Sequence, residues 1–339
     1  MTFLSDLLAG PDPFAERVSV SLMTTYACQL RCAYCQVLRR GVHATKKVID
    51  DTISFLERSD SKKLELKFFG GEPLLKFDLM RYAVREAQRR LGKTREIQYC
   101  LVTNGISLDA AKIRFLEKLP FLVVFSFDGD SITHAAFRAD AAGRARHRTI
   151  TGNLKRLINS KTDFFANIVV SPENLPALPR NLRYISGLGV KRMQLCYNGA
   201  VLWNGPDIML LVKTIAGFLG SPAGKHISFL NAAGESEPVA LKTDMITDTD
   251  GRVYMDGAIF MERRFPGARK CFLIGKIYEL GKPEEVYVGR REHLRRWLNA
   301  FTCAEEEKIF ISTLKAGAAL RRLFSGSGKG MNAPRTSAP

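Results

Sequence analysis

Three cysteines fall within eight residues, in the run Cys28-Gln-Leu-Arg-Cys32-Ala-Tyr-Cys35. Iron–sulfur clusters are held by cysteine thiolates, usually four to a four-iron cluster. Three closely spaced thiolates without a fourth leave one iron open, and an open iron can bind a substrate or cofactor. A structural zinc would need a fourth ligand; the nearest histidine, His43, stands just past the triad. Three further segments close apolar runs: Gly70-Gly71-Glu72-Pro73, Thr103-Asn104-Gly105 and Ser126-Phe127-Asp128-Gly129. Each sets polar side chains beside glycine, and each taken singly reads as a turn. Two adjacent glycines let a ligand approach the backbone, and the Glu72 carboxylate can accept a charge-assisted hydrogen bond from an ammonium group.

The CxxxCxxC spacing, with Tyr34 before the last cysteine, resembles the signature of the radical S-adenosylmethionine (radical SAM) superfamily. The resemblance implies that Cys28, Cys32 and Cys35 hold one 4Fe-4S cluster. Its open iron would be chelated by the amino and carboxylate groups of S-adenosylmethionine, with Tyr34 beside the adenine. Gly70, Gly71, Glu72 and Pro73 look like the family's GGEP motif, which holds the methionine amino group. The TNG and S-x-DG segments are similar to those of one branch, the anaerobic sulfatase-maturating enzymes and ribosomal-peptide maturases. His134 and Arg138 match the His and Arg that follow S-x-DG there. Ser126 is then the leading candidate for the ribose, and Asn104, Asp128 and Arg138 are further candidates for cofactor contact. The resemblance covers residues 17 to 197, over half the chain.

Beyond that stretch the chain departs from the branch. Relatives with a cysteine-rich SPASM or twitch extension often begin it with Gly-x-Val-Tyr-x-Cys; here Gly251-Arg-Val-Tyr254-Met is followed by Asp256. Phe272-Leu-Ile-Gly275-Lys-Ile277 is similar to the extension's later IGxI segment, and only Cys271 and Cys303 remain as thiols. The expectation is a twitch-like cap that has lost most cluster ligands. Asp256 is the candidate catalytic base, against the reading of a surface turn residue; with Cys271 and Cys303 it could also hold a metal, although oxygen is an unusual ligand for such clusters.

The motifs need elements to carry them. Val18, Val20 and Leu22 alternate as a strand should, and Val48, Ile49, Thr52, Ile53 and Leu56 recur at helical spacing. The alternation repeats: strands at 64–68, 97–103, 121–127, 164–170 and 190–197, helices at 76–91, after Ser107 as N-cap, at 149–160, and from Ser171-Pro172 as N-cap and first turn. Six strand–helix units predict a parallel α/β sheet, open or curled toward a barrel, with its site at the strands' C-terminal ends. With the resemblance this becomes a partial (β/α)6 TIM-like barrel with a small α+β C-terminal cap. A helix is expected at 206–219 and a hairpin over 239–254 turning at Asp250-Gly251. The predicted organisation is an N-terminal extension (1–15), the barrel (16–205), the cap (206–324) and a Gly/Ser/Pro-rich disordered tail (325–339).

The 339 residues, 46% of them hydrophobic, suffice for a large core. Neither a signal peptide nor an apolar run long enough to span a membrane is visible, which predicts a cytoplasmic protein with no membrane partner. Seven cysteines in such a setting point to metal or redox chemistry over disulfides. A net charge of +17 favours an acidic partner, and a solvated basic surface competes with that reading. Arg81, Arg85 and Arg89 form one stripe; Arg290, Arg291, Arg295 and Arg296 form another, and neither is interleaved with aromatics as a single-strand binding surface would be. By resemblance, reductive cleavage of S-adenosylmethionine gives a 5′-deoxyadenosyl radical that takes a hydrogen atom from the substrate. A ribosomally made peptide is the expected substrate, for crosslinking or epimerisation, with a flavodoxin or ferredoxin as electron donor. Two alternatives compete: a radical SAM enzyme acting on a small natural-product precursor, and a non-catalytic iron–sulfur protein that binds nucleic acid.

Overall fold

A computed structural model describes residues 17–232, 238–241, 244–255 and 257–326. Six strands carry the first half: β1 (Val18–Thr25), β2 (Lys63–Gly70), β3 (Glu96–Thr103), β4 (Phe121–Ser126), β5 (Asp163–Val170) and β6 (Arg192–Tyr197). Between them run α1 (Lys46–Glu57), α2 (Phe77–Leu91), α3 (Ala110–Leu116), the pair α4 (Ser131–Phe137) and α5 (His147–Ile158), and α6 (Leu178–Gly187). Neighbouring strands pair in parallel from β1 to β6, as helical crossovers require.

The strands alternate between two environments because their side chains point to opposite faces in turn. Val20, Leu66, Tyr99 and Phe121 are in register and buried, as are Leu22, Phe68 and Leu101. They meet the apolar stripes of the helices, including Ile49, Ile53, Met80, Ala83, Leu116, Leu154 and Leu182, in one continuous core. On the other face Phe69, Val102, Val124, Ser126, Asn167, Val169, Gln194 and Cys196 are only half-buried. That face remains accessible because the sheet is open.

The sheet does not stop at six strands. α7 (Gly205–Gly220) leads to the two-residue β7 (Ser228–Phe229), which pairs with β6. β8 (Met245–Thr247) joins the opposite edge beside β1, followed by β9 (Arg252–Tyr254) and, after α8 (Ala268–Phe272), β10 (Leu273–Lys276). The order is β10-β9-β8-β1-β2-β3-β4-β5-β6-β7. The C-terminal region thus extends the barrel sheet. It also has its own core, in which α10 (Arg290–Ala300) and α11 (Ala304–Gly326) contribute Trp297 and Phe310, stacked at 4.7 Å, beside Phe265 and Phe272. α9 (Pro283–Val286) lies between β10 and α10 in the chain, with Val286 packed against the main core.

Several local expectations need correction. The α3 N-cap is Asp109, whose carboxylate accepts from Lys112 N at 2.9 Å; the Ser107 hydroxyl instead accepts from Gln29. Ser171-Pro172 opens a turn, closed by Asn174, and the helix begins only at Leu178 with Pro179 in its first turn. The hairpin is confined to β8 and β9 with Gly251 at φ +80° in the turn, and residues 239–241 form a 3-10 turn. α11 runs through Ser325, inside the stretch expected to be a disordered tail; the rest of that tail, 327–339, lies outside the described residues, as do the N-terminal extension 1–15 and Asp256.

Candidate active site

The cysteine triad occupies the long loop between β1 and α1. The loop leaves β1 and returns beside it: Thr25 bridges His43, Tyr26 N donates to Val42 O and Ala44 N to Thr24 O. Its far side is stitched to the segment after α4, with Arg31 N on Ala139 O at 2.7 Å and Ala33 N on Phe137 O at 2.9 Å. Inside the loop Arg31 folds back onto the carbonyls of Cys28 and Leu30. Cys28, Cys32 and Cys35 are all free and all half-buried.

Gly70 and Gly71 explain themselves against this loop. Gly71 N donates to Thr25 O at 2.7 Å and Glu72 N to Ala27 O at 2.9 Å. A Cβ at Gly70 would strike Thr25 O and one at Gly71 would strike Ala27 O. Glycine is needed here so that the end of β2 can lie against the cluster loop, a close approach of backbone to backbone. Pro73 then starts a 3-10 turn capped by the Glu72 carboxylate through Leu74 N.

Glu72 is fully buried and also accepts from Thr103 Oγ1 at 2.8 Å and Asn104 N at 2.7 Å. It ties the ends of β2 and β3 together. Burial raises its pKa against the pull of these three hydrogen bonds. Asn104 presents its amide Nδ2 to Cys28 Sγ at 3.6 Å and to Gln29 Oε1 at 3.2 Å. The GGEP and TNG segments therefore form one hydrogen-bonded shelf under Cys28.

On the other side of the triad, Tyr34 Oη donates to Asp128 Oδ2 at 2.5 Å and accepts from Arg138 Nη1 at 2.6 Å. Arg138 also pairs with Asp128 at 3.5 Å, both side chains almost wholly buried. The second Asp128 oxygen takes Val169 N at 3.0 Å. This knot joins the cluster loop, the end of β4 and the end of α4. The Tyr34 hydroxyl is consumed in it, so only the ring is left to face a ligand. Ser126, last in β4, lies in register with Asn167 on the accessible face. His134 is fully buried and accepts from Asp128 N; burial holds it neutral, with its pKa lowered to about 2. It shapes the turn that presents Asp128.

Burial pushes the Cys28 thiol up to about 11, Glu72 adding to the rise, and raises Cys32 while Arg138 pulls it down. Half-buried thiols of this kind ionise when a metal takes up their charge. Among the described residues no three His, Cys, Asp or Glu side chains converge on a point that could hold a single ion. A four-iron cluster takes one thiolate per iron corner, so its ligands stand farther apart than those of one zinc ion. The free, half-buried triad supplies the thiol donors that such a cluster uses. Cys100 is a buried strand residue, Cys196 is half-buried on β6, and Cys271 donates to Asn299 O in the C-terminal core.

The residues bordering the site that the sequence reading missed are Gln29, Arg39 and Arg269. Arg39 lies close enough to lower the pKa of both Cys28 and Cys32. Arg269 reaches from α8 to Tyr26 Oη and Tyr254 Oη, each at 3.2 Å, and pairs with the buried Asp248. Glu262 pairs with Arg40 of the cluster loop at 2.7 Å. The C-terminal region is fastened to the root of that loop. Phe260 lies over Phe69 with ring centroids 4.5 Å apart, so the same region covers part of the accessible sheet face. No residue pattern marked these pairings, because each joins positions more than 200 residues apart or depends on tertiary contact alone.

Comparison with known proteins follows this geometry. The model of the radical SAM superfamily matches residues 22–185. The PqqA peptide cyclase of Granulibacter bethesdensis is 23% identical over 66% of this chain and 56% of its own length. The cysteine-type anaerobic sulfatase-maturating enzyme of Clostridium novyi is 24% identical over 42% of this chain and 41% of its own. The chain spans about half the length of the curated relatives it matches. The solved structure of native anSMEcpe with bound AdoMet and Kp18Cys peptide superposes with a TM-score of 0.73, covering 92% of this chain and 99% of that one at 17% identity. At that identity the likeness establishes the fold, an open, mostly parallel sheet of the partial TIM-barrel kind. The family uses a 4Fe-4S cluster and S-adenosylmethionine. Residues 22–185 of this chain form a radical SAM domain.

Proposed function

We propose that this protein is a radical SAM enzyme that abstracts a hydrogen atom from a ribosomally made peptide. The observation that carries the reading is the shelf under Cys28: Asn104 on the sulfur, Glu72 joining two strand ends, and the cluster loop laid against Gly70 and Gly71. When bound, the cluster and S-adenosylmethionine supply a 5′-deoxyadenosyl radical, which can attack an unactivated carbon. Cys28, Cys32 and Cys35 hold the cluster. Gly70, Gly71, Glu72, Pro73 and Asn104 position the methionine end, Ser126 the ribose and the Tyr34 ring the adenine. Asp128 and Arg138 act through Tyr34 and pin the loop, so they are positioning residues. The half-buried, mostly neutral sheet face receives the substrate, and residues 206–324, with Phe260 over Phe69, form a cap that excludes water from it. The peptide is supported by relatives named for peptide chemistry and by the charge of +17, which suits an acidic precursor.

The test is anaerobic incubation with S-adenosylmethionine, a reductant and peptides encoded by short reading frames beside the gene, with deuterium at candidate positions. The reading expects a mass change in one peptide and transfer of its deuterium into 5′-deoxyadenosine. Turnover of S-adenosylmethionine with no peptide altered, while a small metabolite gives up its deuterium, would overturn the peptide assignment.

A further inference from the structure

Arg81, Arg85 and Arg89 form one stripe of α2, and the site at the strand ends uses none of them. The stripe runs beside a cavity of 460 Å³ on the outside of the barrel, between α1, α2 and α3. Leu79, Phe115 and Leu119 give this groove an apolar wall, each of them only half-buried. Lys46, Arg81 and Arg85, all exposed, line it with positive charge against one carboxylate, Asp78. Tyr82 stands among them: Lys46 Nζ and Arg85 Cζ each lie 5.2 Å from its ring centroid. The Tyr82 hydroxyl donates to Asp50 at 2.9 Å, which fixes the ring.

A cation held against an aromatic face is positioned without being neutralised. Among the described residues no carboxylate forms an ion pair with Lys46 or Arg81. Arg85 pairs with Glu86 at 3.2 Å, but Arg89 claims the same carboxylate at 2.8 Å. The groove therefore joins an apolar wall to cations in excess. Its complement is a segment with an apolar ridge flanked by carboxylates. From Asp78 to Gln88 it follows α2 for about 15 Å, room for about three turns of a helical ligand.

One end of the groove identifies the partner. α1 and α2 both begin at the end of the barrel where β1 and β2 finish, and Lys46 and Asp78 lie in their first turns. Lys46 follows the cluster loop directly, and Asp78 comes shortly after Pro73. A chain leaving the groove past these two residues arrives where the cluster loop and Gly70–Pro73 are delivered. Val42 and Leu75, 48% and 39% exposed, lie uncovered at the same end. We infer that the groove is an exosite for the acidic, unmodified part of the peptide substrate, holding it while the reacting residue enters the site. The inference rests on the reading that the substrate is a peptide.

The test uses the iron-loaded protein and a fluorescein-labelled synthetic peptide with leucines at helical spacing and glutamates beside them, followed by fluorescence anisotropy. A second probe of the same composition, its leucines dispersed, should bind at least about fivefold more weakly. Arg81→Glu/Arg85→Glu should weaken binding of the first probe about tenfold. Lys155→Glu/Arg183→Glu, the same charge change on α5 and α6, should weaken it less than about threefold. The milder Arg81→Gln/Arg85→Gln should act in the direction of the groove pair, by about threefold. Equal losses from both Glu pairs, equal binding of the two probes, or displacement by inorganic phosphate as readily as by unlabelled probe would overturn the groove. For a peptide that yields its deuterium to 5′-deoxyadenosine, Arg81→Glu/Arg85→Glu should raise KM about tenfold and change kcat by less than about twofold. An unchanged KM would overturn the substrate as occupant. Failure of the peptide reading is separate: no peptide yields deuterium even to the wild type, whatever the probes do.

Discussion

β1 to β6 are six to eight residues long, and the loops at the ends of β1 to β4 deliver the cysteine triad, Gly70–Pro73, Thr103–Gly105 and Ser126–Gly129. β7 to β10 are two to four residues long and deliver none of these groups. Both regions belong to one sheet, yet they hold their polar residues differently. In the first, buried polar groups are spent on the loop that carries the cysteines, as Glu72 and Arg138 show. In the second they are spent on attachment, as Arg269 shows with Asp248 and Tyr26. The C-terminal region is fastened to the first by Arg269 with Asp248 and Tyr26 and by Glu262 with Arg40.

The sharpest way to break this contrast is to remove thiols from each region. Cys28→Ala, Cys32→Ala or Cys35→Ala should abolish stable iron and sulfide incorporation. Cys271→Ser and Cys303→Ser together should leave about one four-iron cluster per chain, by iron and sulfide analysis. Iron lost in the second variant would mean that the C-terminal region is also a metal site.

Next comes the buried knot. Arg138→Leu leaves Asp128 buried without its counter-charge and should cost about 3–5 kcal/mol in chemical denaturation. It should also loosen cluster retention, because Tyr34 loses its donor. Arg269→Met in the other region should cost less, about 1–3 kcal/mol, with iron content unchanged; a large loss of iron there would erase the division between chemistry and attachment.

A smaller effect lies in pH. Burial raises the folded pKa of Glu72 above the ordinary 4.5. Over the window from that value upward the folded chain holds more protons than the unfolded one, so its contribution to stability falls as pH rises. Glu72→Gln should flatten that slope in denaturation curves taken across the window, and an unchanged slope would place the titration elsewhere. Smallest of all, Arg81→Gln on the exposed face of α2 should change stability by no more than about 0.5 kcal/mol.

Much of the first region was legible in the sequence because its signals are local. Val18, Val20 and Leu22 alternate within one strand, and Val48 to Leu56 repeat within one helix, so period alone reveals them. The triad and the glycine-bearing strand ends are likewise short and contiguous. What could not be read depends on partners far away in the chain. Ser107 looked like a helix cap, but Gln29 claims its hydroxyl and Asp109 takes the cap. Gly70 and Gly71 read as a close approach to the backbone, but the neighbours that demand glycine there, Thr25 O and Ala27 O, come from a distant part of the chain. That β8 and β9 extend the barrel sheet beside β1 could not be read either, because strands of three residues carry too little pattern.

The measurement closest to the central claim is 5′-deoxyadenosine formed by reconstituted protein with S-adenosylmethionine and dithionite under anaerobic conditions, with Cys32→Ala as control. The account predicts 5′-deoxyadenosine from the wild type and none above background from the variant. No product from wild type carrying its full iron complement, or equal product from Cys32→Ala, would contradict it.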